Sequence, residues 1–367
     1  MFAERRRAVL AVLGVAASLM LVLLLRGIFA GAIERVTYYI RTSPADVFVS
    51  QQGVRTMHMS SSVVSPTAVE QLSGVPGVAW AAGIDFASGS ISGPGGRQLS
   101  YVLGYDSITG HGGPTRMAAG RAPGIGEVVL DEQAADQLGV GVGDIMTVLG
   151  LPLRVVGLST GGTSITNTTA FVDTRQFERL RGSAHEAHGQ GPSYVLVRAD
   201  AGVSADALVE RIEDDVPGLT VQTREEFAAS EARVVTDMSA DLLRLMSTVG
   251  LLIALAVIAL GLMSSTLNRI RDFAVLKALG ASTARLVATV ASQVLWTVGL
   301  AAASATVLAT ALSTVLSTLA PSVQINVTIG SSVQTAVSAL LIGLLAALWP
   351  LRRVASIDPA TAFRESR

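Results

Sequence analysis

Long runs of apolar and small residues alternate along the chain with ordinary polar sequence. Residues 8–25 form the first run, behind Arg5, Arg6 and Arg7, and the pattern resumes after Arg26 as far as Ile33. This length suits an uncleaved membrane helix. A cleaved signal peptide, with Ala30-Gly31-Ala32 as the small residues, is the competing reading, but its apolar core is usually only about 7–15 residues. Residues 245–267 form a second span. The stretch 286–351 contains no Asp, Glu, Lys or Arg, and as one helix it would reach ~100 Å against a hydrocarbon core of ~30 Å. It must fold back, and the polar segment Pro321-Ser322-Val323-Gln324-Ile325-Asn326 is the turn.

The pattern therefore predicts a membrane protein with four transmembrane α-helices and a large α+β extracytoplasmic domain inserted between helices 1 and 2. The expected division is a cytoplasmic N-terminus (1–7), helix 1 (8–33), the inserted domain with its stalk (34–241) and helix 2 (242–267). A cytoplasmic loop (268–285), helix 3 (286–319), an outer loop (320–331), helix 4 (332–350) and a cytoplasmic tail (351–367) follow. Arg269, Arg271, Lys277 and Arg285, with Arg352, Arg353, Arg364 and Arg367, fall on the same side as the N-terminal arginines. They are opposed there only by Glu4, Asp272, Asp358 and Glu365. By the positive-inside rule that side is the cytoplasm. Both termini are then on the cytoplasmic side of a membrane that the chain crosses several times. Arg26 reads as a snorkelling residue near the outer interface, and Trp349, Tyr38 and Tyr39 read as interfacial anchors.

Within 34–241 the periodicity changes. Residues 45–50, 127–130, 145–149, 153–158, 170–173, 194–198 and 219–222 read as strands. Residues 132–138 and 205–214 read as helices, and Ser65-Pro66 opens a third before the turn Val75-Pro76-Gly77. Thr223 and Glu226 form a capping box, after which nothing breaks a helix until Asn268. Such a helix would run about 65 Å, leaving 224–244 as a rigid stalk. Small residues at packing spacing, Gly27 with Gly31, Gly250 with Ala254, and the Ala/Ser/Thr run 301–318, indicate close helix contacts.

Composition narrows the chemistry. The chain has 367 residues, 50% hydrophobic and 15% charged, with a net charge of −1 and no cysteine. Thiolate metal sites, disulfides and cysteine nucleophiles are excluded, and no electrostatic case exists for nucleic acid. Lys277 is the only lysine and is followed by Ala278, so no phosphate-binding G-x-x-x-x-G-K-[ST] loop is present. The last three spans carry no ionisable residue of the kind a proton-coupled carrier keeps at mid-membrane. Gly139-Val140-Gly141-Val142-Gly143-Asp144 has the wrong glycine spacing for a dinucleotide loop and reads as a turn. His185-Glu186-Ala187-His188 lacks the zinc-protease spacing. No cofactor, metal or catalytic constellation is expected in this chain.

Arg269 to Gly280 reads as a short amphipathic helix with an apolar ridge of Phe273, Leu276 and Leu279 ringed by charge. Residue physics admits two readings, a helix lying in the membrane interface or a ridge offered to a cytosolic partner's groove.

The run Arg271-Asp272-Phe273-Ala274-Val275-Leu276-Lys277-Ala278-Leu279-Gly280-Ala281 resembles the loop after the second span of FtsX-like ABC transporter permeases, with Asp272 where that family usually has Glu. The final run, Pro350-Leu351-Arg352-Arg353-Val354-Ala355-Ser356-Ile357-Asp358-Pro359-Ala360-Thr361-Ala362-Phe363-Arg364, resembles the family's C-terminal end. Gly120-Arg121, Gly126-Glu127-Val128-Val129-Leu130, Leu138-Gly139, Val142-Gly143-Asp144 and Val155-Val156-Gly157 together resemble a MacB-type periplasmic core domain. The resemblance implies the permease subunit of a MacB/LolCDE-like system, and the missing fused ATPase implies a separately encoded one. In that reading Phe273, Leu276 and Leu279 dock in a cytosolic ATPase dimer that binds ATP and Mg. Arg271, Asp272 and Lys277 orient the contact, and Gly280 belongs to the same coupling interface. Pro350, Arg353, Asp358, Pro359, Ala362 and Arg364 form the family's C-terminal motif, whose Pro359–Arg364 tail braces the cytoplasmic side of a bacterial inner or plasma membrane. It further implies a second copy or a homologous permease, contact with membrane lipids, an extracytoplasmic adaptor or substrate protein, and a hydrophobic cargo such as a lipid, lipoprotein or peptide. The alternative the resemblance leaves open is an FtsX-like regulator that activates an extracellular cell-wall hydrolase.

Overall fold

The computed structural model describes residues 2–161, 168–183, 191–268, 275–277, 279, 281–319 and 325–355. They form two compact units, one of residues 32–238 and one drawn from 1–31 and 239–367.

The first unit is an α+β domain. Among its described residues are ten strands, β1 (Val47–Gln51), β2 (Val78–Gly93), β3 (Gly96–Tyr105), β4 (Met117–Gly120), β5 (Glu127–Asp131), β6 (Ile145–Val148), β7 (Leu151–Ser159), β8 (Thr168–Asp173), β9 (Tyr194–Ala199) and β10 (Leu219–Thr223). The sheet order is β10-β1-β9-β2-β3-β8-β5-β7-β4, with β6 set against β2 and β7. Strand β2 serves two lobes. Its residues 78–84 pair with β9 and its residues 85–93 with β3. In the first lobe β1 is buried on both faces. On one face Val47, Val49, Val195 and Val197 meet Leu72 of helix α2 (Pro66–Gly74) and Leu208 and Ile212 of α5 (Ala205–Asp215). On the other, Phe48 stacks on Phe227 with centroids 4.9 Å apart. In the second lobe α3 (Glu132–Leu138) and α4 (Thr174–Ser183) deliver Leu138, Phe177 and Leu180 to a core with Val128, Leu130 and Val155.

Local chemistry explains the helix ends. Ser65, Asp131 and Ser204 cap α2, α3 and α5 by accepting backbone N–H bonds from Thr67, Gln133 and Ala207, which satisfies donors that the first turn leaves orphaned. Gly139 ends α3 in the left-handed conformation at φ 65°, so the glycine-rich segment 139–144 is a helix-to-strand turn.

Two helices belong to both units. Helix α1 (Phe2–Thr42) continues without a break through Ile33, and α6 (Arg224–Asn268) starts at the capping box, where Thr223 Oγ1 accepts from Glu226 N and Glu226 Oε2 accepts from Thr223 N. The uninterrupted α1 corrects one expectation. Tyr38 and Tyr39 are not interfacial anchors, because the last turns of α1 pack on the sheet. Tyr39 Oη donates to the Gly112 carbonyl at 2.8 Å, and the Tyr38 ring fills the space that a Cβ on Gly161 would need. The side chain of Trp349 lies outside the described residues.

The second unit is helical. Among the described residues four helices are long and apolar enough to cross a membrane: Val12–Thr42, Arg244–Ser264, Thr283–Leu316 and Ile329–Leu348. The last two lie in α7 (Thr283–Leu319) and α8 (Ile329–Ala355). Val15, Leu19 and Leu23 of α1 pack with Ile258 and Leu262 of α6. The buried row Ala301, Ala305 and Ala309 on α7 meets Ala339 and Ala346 of α8. Small residues set these approaches. A Cβ on Gly250 would lie 2.5 Å from Val22 Cγ2, and one on Gly27 2.6 Å from Ile325 Cγ2. Arg26 donates to Gln334 Oε1 of α8 at 3.0 Å. The turn between α7 and α8 is described only from Ile325, and Asn326 N donates there to the Gly27 carbonyl.

Candidate functional site

The segment between α6 and α7 carries the residues singled out in the sequence. Residues 275–277 form a helical turn that Leu279 N closes onto the Val275 carbonyl at 3.0 Å and Ala281 N onto the Leu276 carbonyl at 2.9 Å. Ser282 then starts α7, its carbonyl accepting from Arg285 N and Leu286 N. Within this turn Leu276 is 46% exposed and Leu279 80%, whereas Lys277 is half-buried. A surface leucine on its own needs no explanation. Val275, Leu276 and Leu279 are three exposed apolar residues within five positions of one short segment, the kind of grouping that marks an interaction surface. Arg271, Asp272, Phe273 and Gly280 lie outside the described residues. Of the C-terminal motif, Pro350 and Arg353 belong to α8, while Asp358, Pro359, Ala362 and Arg364 lie outside the described residues, as do His185, Glu186 and His188.

The sequence-distant side-chain pairs of the α+β unit that local pattern did not reveal include two with buried carboxylates, His58 with Glu231 and Asp85 with Arg181. Glu231 on α6 is fully buried, its carboxylate accepts the backbone N–H groups of Met57 and His58, and Oε2 lies 2.8 Å from His58 Nδ1. The His58 ring sits edge-on to Tyr101 at 4.3 Å and to Phe86 at 5.6 Å. Asp85, at the point where β2 passes from one lobe to the other, lies 2.8 Å from Arg181 Nη2 on α4. Burial pushes the Asp85 carboxyl up to about 6, against the opposing pull of the Arg181 guanidinium. The pairs span 173 and 96 residues of sequence, beyond the reach of any spacing rule. Among the described residues no group of three or more His, Asp or Glu side chains is placed to hold a metal ion.

Four apolar helices, with an α+β domain inserted between the first and second, define the class: a multi-pass membrane protein with a large extramembrane domain. The model of the MacB-like periplasmic core domain matches residues 8–215, and that of the FtsX-like permease C-terminal matches residues 244–359. The chain belongs to the MacB-like and FtsX-like ABC transporter permeases. Relatives extend along its whole length. An uncharacterised ABC transporter permease of Mycobacterium bovis is 26% identical over 361 residues, covering 98% of this chain and 96% of the relative. A second such permease, from Mycobacterium tuberculosis, is 26% identical over 365 residues with the same coverage. Among solved structures, the periplasmic region of MacB from Actinobacillus actinomycetemcomitans aligns with 52% of this chain and 94% of its own, at 12% identity and TM-score 0.39. The extracellular domain of the noncanonic ABC-type transporter YknZ from Gram-positive bacteria aligns with 48% and 99%, at 14% identity and TM-score 0.38.

Proposed function

We propose that this permease couples a separate cytosolic ATPase to its α+β domain, which lies outside the cytoplasm, in order to export or extract a hydrophobic cargo. The supporting observation is the exposed ridge of Leu276 and Leu279 between the second and third spans. An ABC permease needs a partner ATPase, and an apolar ridge on a short charged helix is a shape that lays into a hydrophobic groove. The distribution of basic residues supports assigning that loop and both termini to the cytoplasm.

In this mechanism the partner binds ATP and Mg, and its closure displaces the 268–285 segment. The displacement passes to α6, whose 45 residues run unbroken from the α+β unit through the second span. A continuous helix resists bending, so movement at one end reaches the other without hinge loss. Phe273, Leu276 and Leu279 dock in the ATPase, and Arg271, Asp272 and Lys277 orient the contact.

Replacing Phe273 and Leu276 together by Asp tests the assignment. The tagged variant is expected to lose its co-purifying ATPase while inserting into membranes at the normal level. Undiminished complex formation would refute the contact.

A further inference from the structure

The ladder on one edge of β2 has a gap. Pairing with β9 ends at Ile84 and pairing with β6 begins at Ile91. Phe86 N–H donates to Ser193 Oγ, and the Ser90 carbonyl accepts from Leu149 N. A cleft of about 560 Å³ opens along this gap, between the 57–63 strap and α4. Its volume falls within the ~300–1,000 Å³ of small-molecule sites.

The walls are built rather than left over. Leu149, at the tip of the β6–β7 hairpin, holds φ at 48°, a left-handed conformation unusual for a residue with a side chain. That conformation is strained for any residue with a Cβ, and the turn itself would accept Asn or Gly. Leucine instead lies over Gly89, where a Cβ would come 2.1 Å from Leu149 Cδ2, and lines the cleft with Phe86 and Phe177. Met59, 62% exposed, adds an adaptable thioether wall. Ser60, Ser61 and Ser88 supply hydroxyls at the opening.

Charge decides the head group. The His58–Glu231 pair is closed on itself by two backbone donors. Arg181 is the cation of the other pair. It is 22% exposed in the cleft wall, and its second nitrogen reaches only a long 3.4 Å contact to the Gly191 carbonyl. The narrow gap decides the body. Between the satisfied Phe86 and Ser90 groups there is room for one residue of strand pairing at Ser88, too little to hold a peptide by strand addition. An aliphatic chain has no backbone groups to satisfy.

We infer that this cleft binds a single aliphatic chain with an anionic head, the chain lying against Phe86, Leu149 and Phe177 and the head on Arg181. The inference rests on the hydrophobic-cargo reading and gives that cargo a site and a charge. The head competes with Asp85 for the guanidinium. The charged groups acting on Asp85 are Arg181 and Glu178 from α4, and His58 on the 57–63 strap also lines the cleft. As pH falls below about 6, Asp85 takes up a proton and releases Arg181 to the ligand, so a head that stays ionised binds more tightly in acid.

The test uses the full chain in lipid nanodiscs, without ATPase, and a diazirine-bearing dodecyl sulfonate, with labelled peptides mapped by mass spectrometry. Labels are expected in residues 57–63 and at the β6–β7 turn, more strongly at pH 5 than at pH 8. An alcohol-headed analogue should label about tenfold less, the loss expected for one charged hydrogen bond. Ser61→Trp and Ser88→Trp fill the cleft from exposed positions and should each reduce labelling about tenfold with unchanged thermal unfolding. Asp85→Asn should label as strongly at pH 8 as at pH 5. Labelling confined to α1 and α6–α8, indifference to both tryptophans, or equal labelling by the alcohol would overturn the inference. Co-purification of the ATPase is a separate readout, so failure here leaves the coupling assignment standing.

Discussion

Asp85 is a carboxyl that folding makes easier to protonate, because water is withdrawn from it more effectively than Arg181 compensates. Its folded-state value is about 6 against an ordinary 3.8. Between those values the folded chain holds more protons than the unfolded chain, so this residue's contribution to stability is greatest below about pH 4, declines as pH rises to 6, and is flat beyond. Asp85→Asn is expected to remove a decline of up to ~3 kcal/mol over that range, measured as the unfolding midpoint in denaturant at a series of pH values. A variant whose pH profile matched the parent's would show that the carboxyl is not held as described. At this scale legibility depended on sequence distance. Leu276 and Leu279 could be picked out because they recur within one helical turn, whereas Asp85 with Arg181 and His58 with Glu231 are joined only by the folded sheet.

Elements with local signals were readable from the chain. The caps at Asp131 and Ser204 mark α3 and α5, and the Thr223–Glu226 box marks the start of α6. Thr223→Ala should cost about 1 kcal/mol, seen as a lower denaturation midpoint with an unchanged slope. Strands β2 and β3 gave no such signal. Gly89 and Gly104 depress strand propensity, yet they are needed because Leu149 and Phe177 pack directly onto the backbone there. Helix α4 offers only Phe177 and Leu180 as its buried apolar face, too few for a periodic pattern. The apolar helices permit a paired prediction. Gly250→Leu inserts bulk where α6 meets Val22 of α1 and should destabilise the helical unit by ~1–3 kcal/mol. Gly299→Leu faces open space on α7 and should leave thermal unfolding in nanodiscs unchanged. Equal effects at the two glycines would contradict the packing.

For the whole molecule, the membrane architecture and the family were both legible, because 286–351 is free of charge and because the 271–281 motif is local in sequence. The inserted domain's contact with α1 was not. Tyr38 and Tyr39 follow an apolar run, and only the packing of the final turns of α1 on the sheet separates them from membrane anchors. In the mechanism proposed above, nucleotide turnover in the partner reaches the α+β unit through the 268–285 segment and α6. The absence of cysteine makes that claim directly measurable. Met238, 73% exposed at the boundary between the two units, can be replaced by a single cysteine carrying an environment-sensitive fluorophore in the reconstituted complex. ATP is predicted to shift its emission, and the shift should vanish when Leu276 and Leu279 are replaced by Asp while the ATPase still hydrolyses ATP. A shift that survives those replacements, or an intact complex in which ATP changes nothing at this position, would contradict the account.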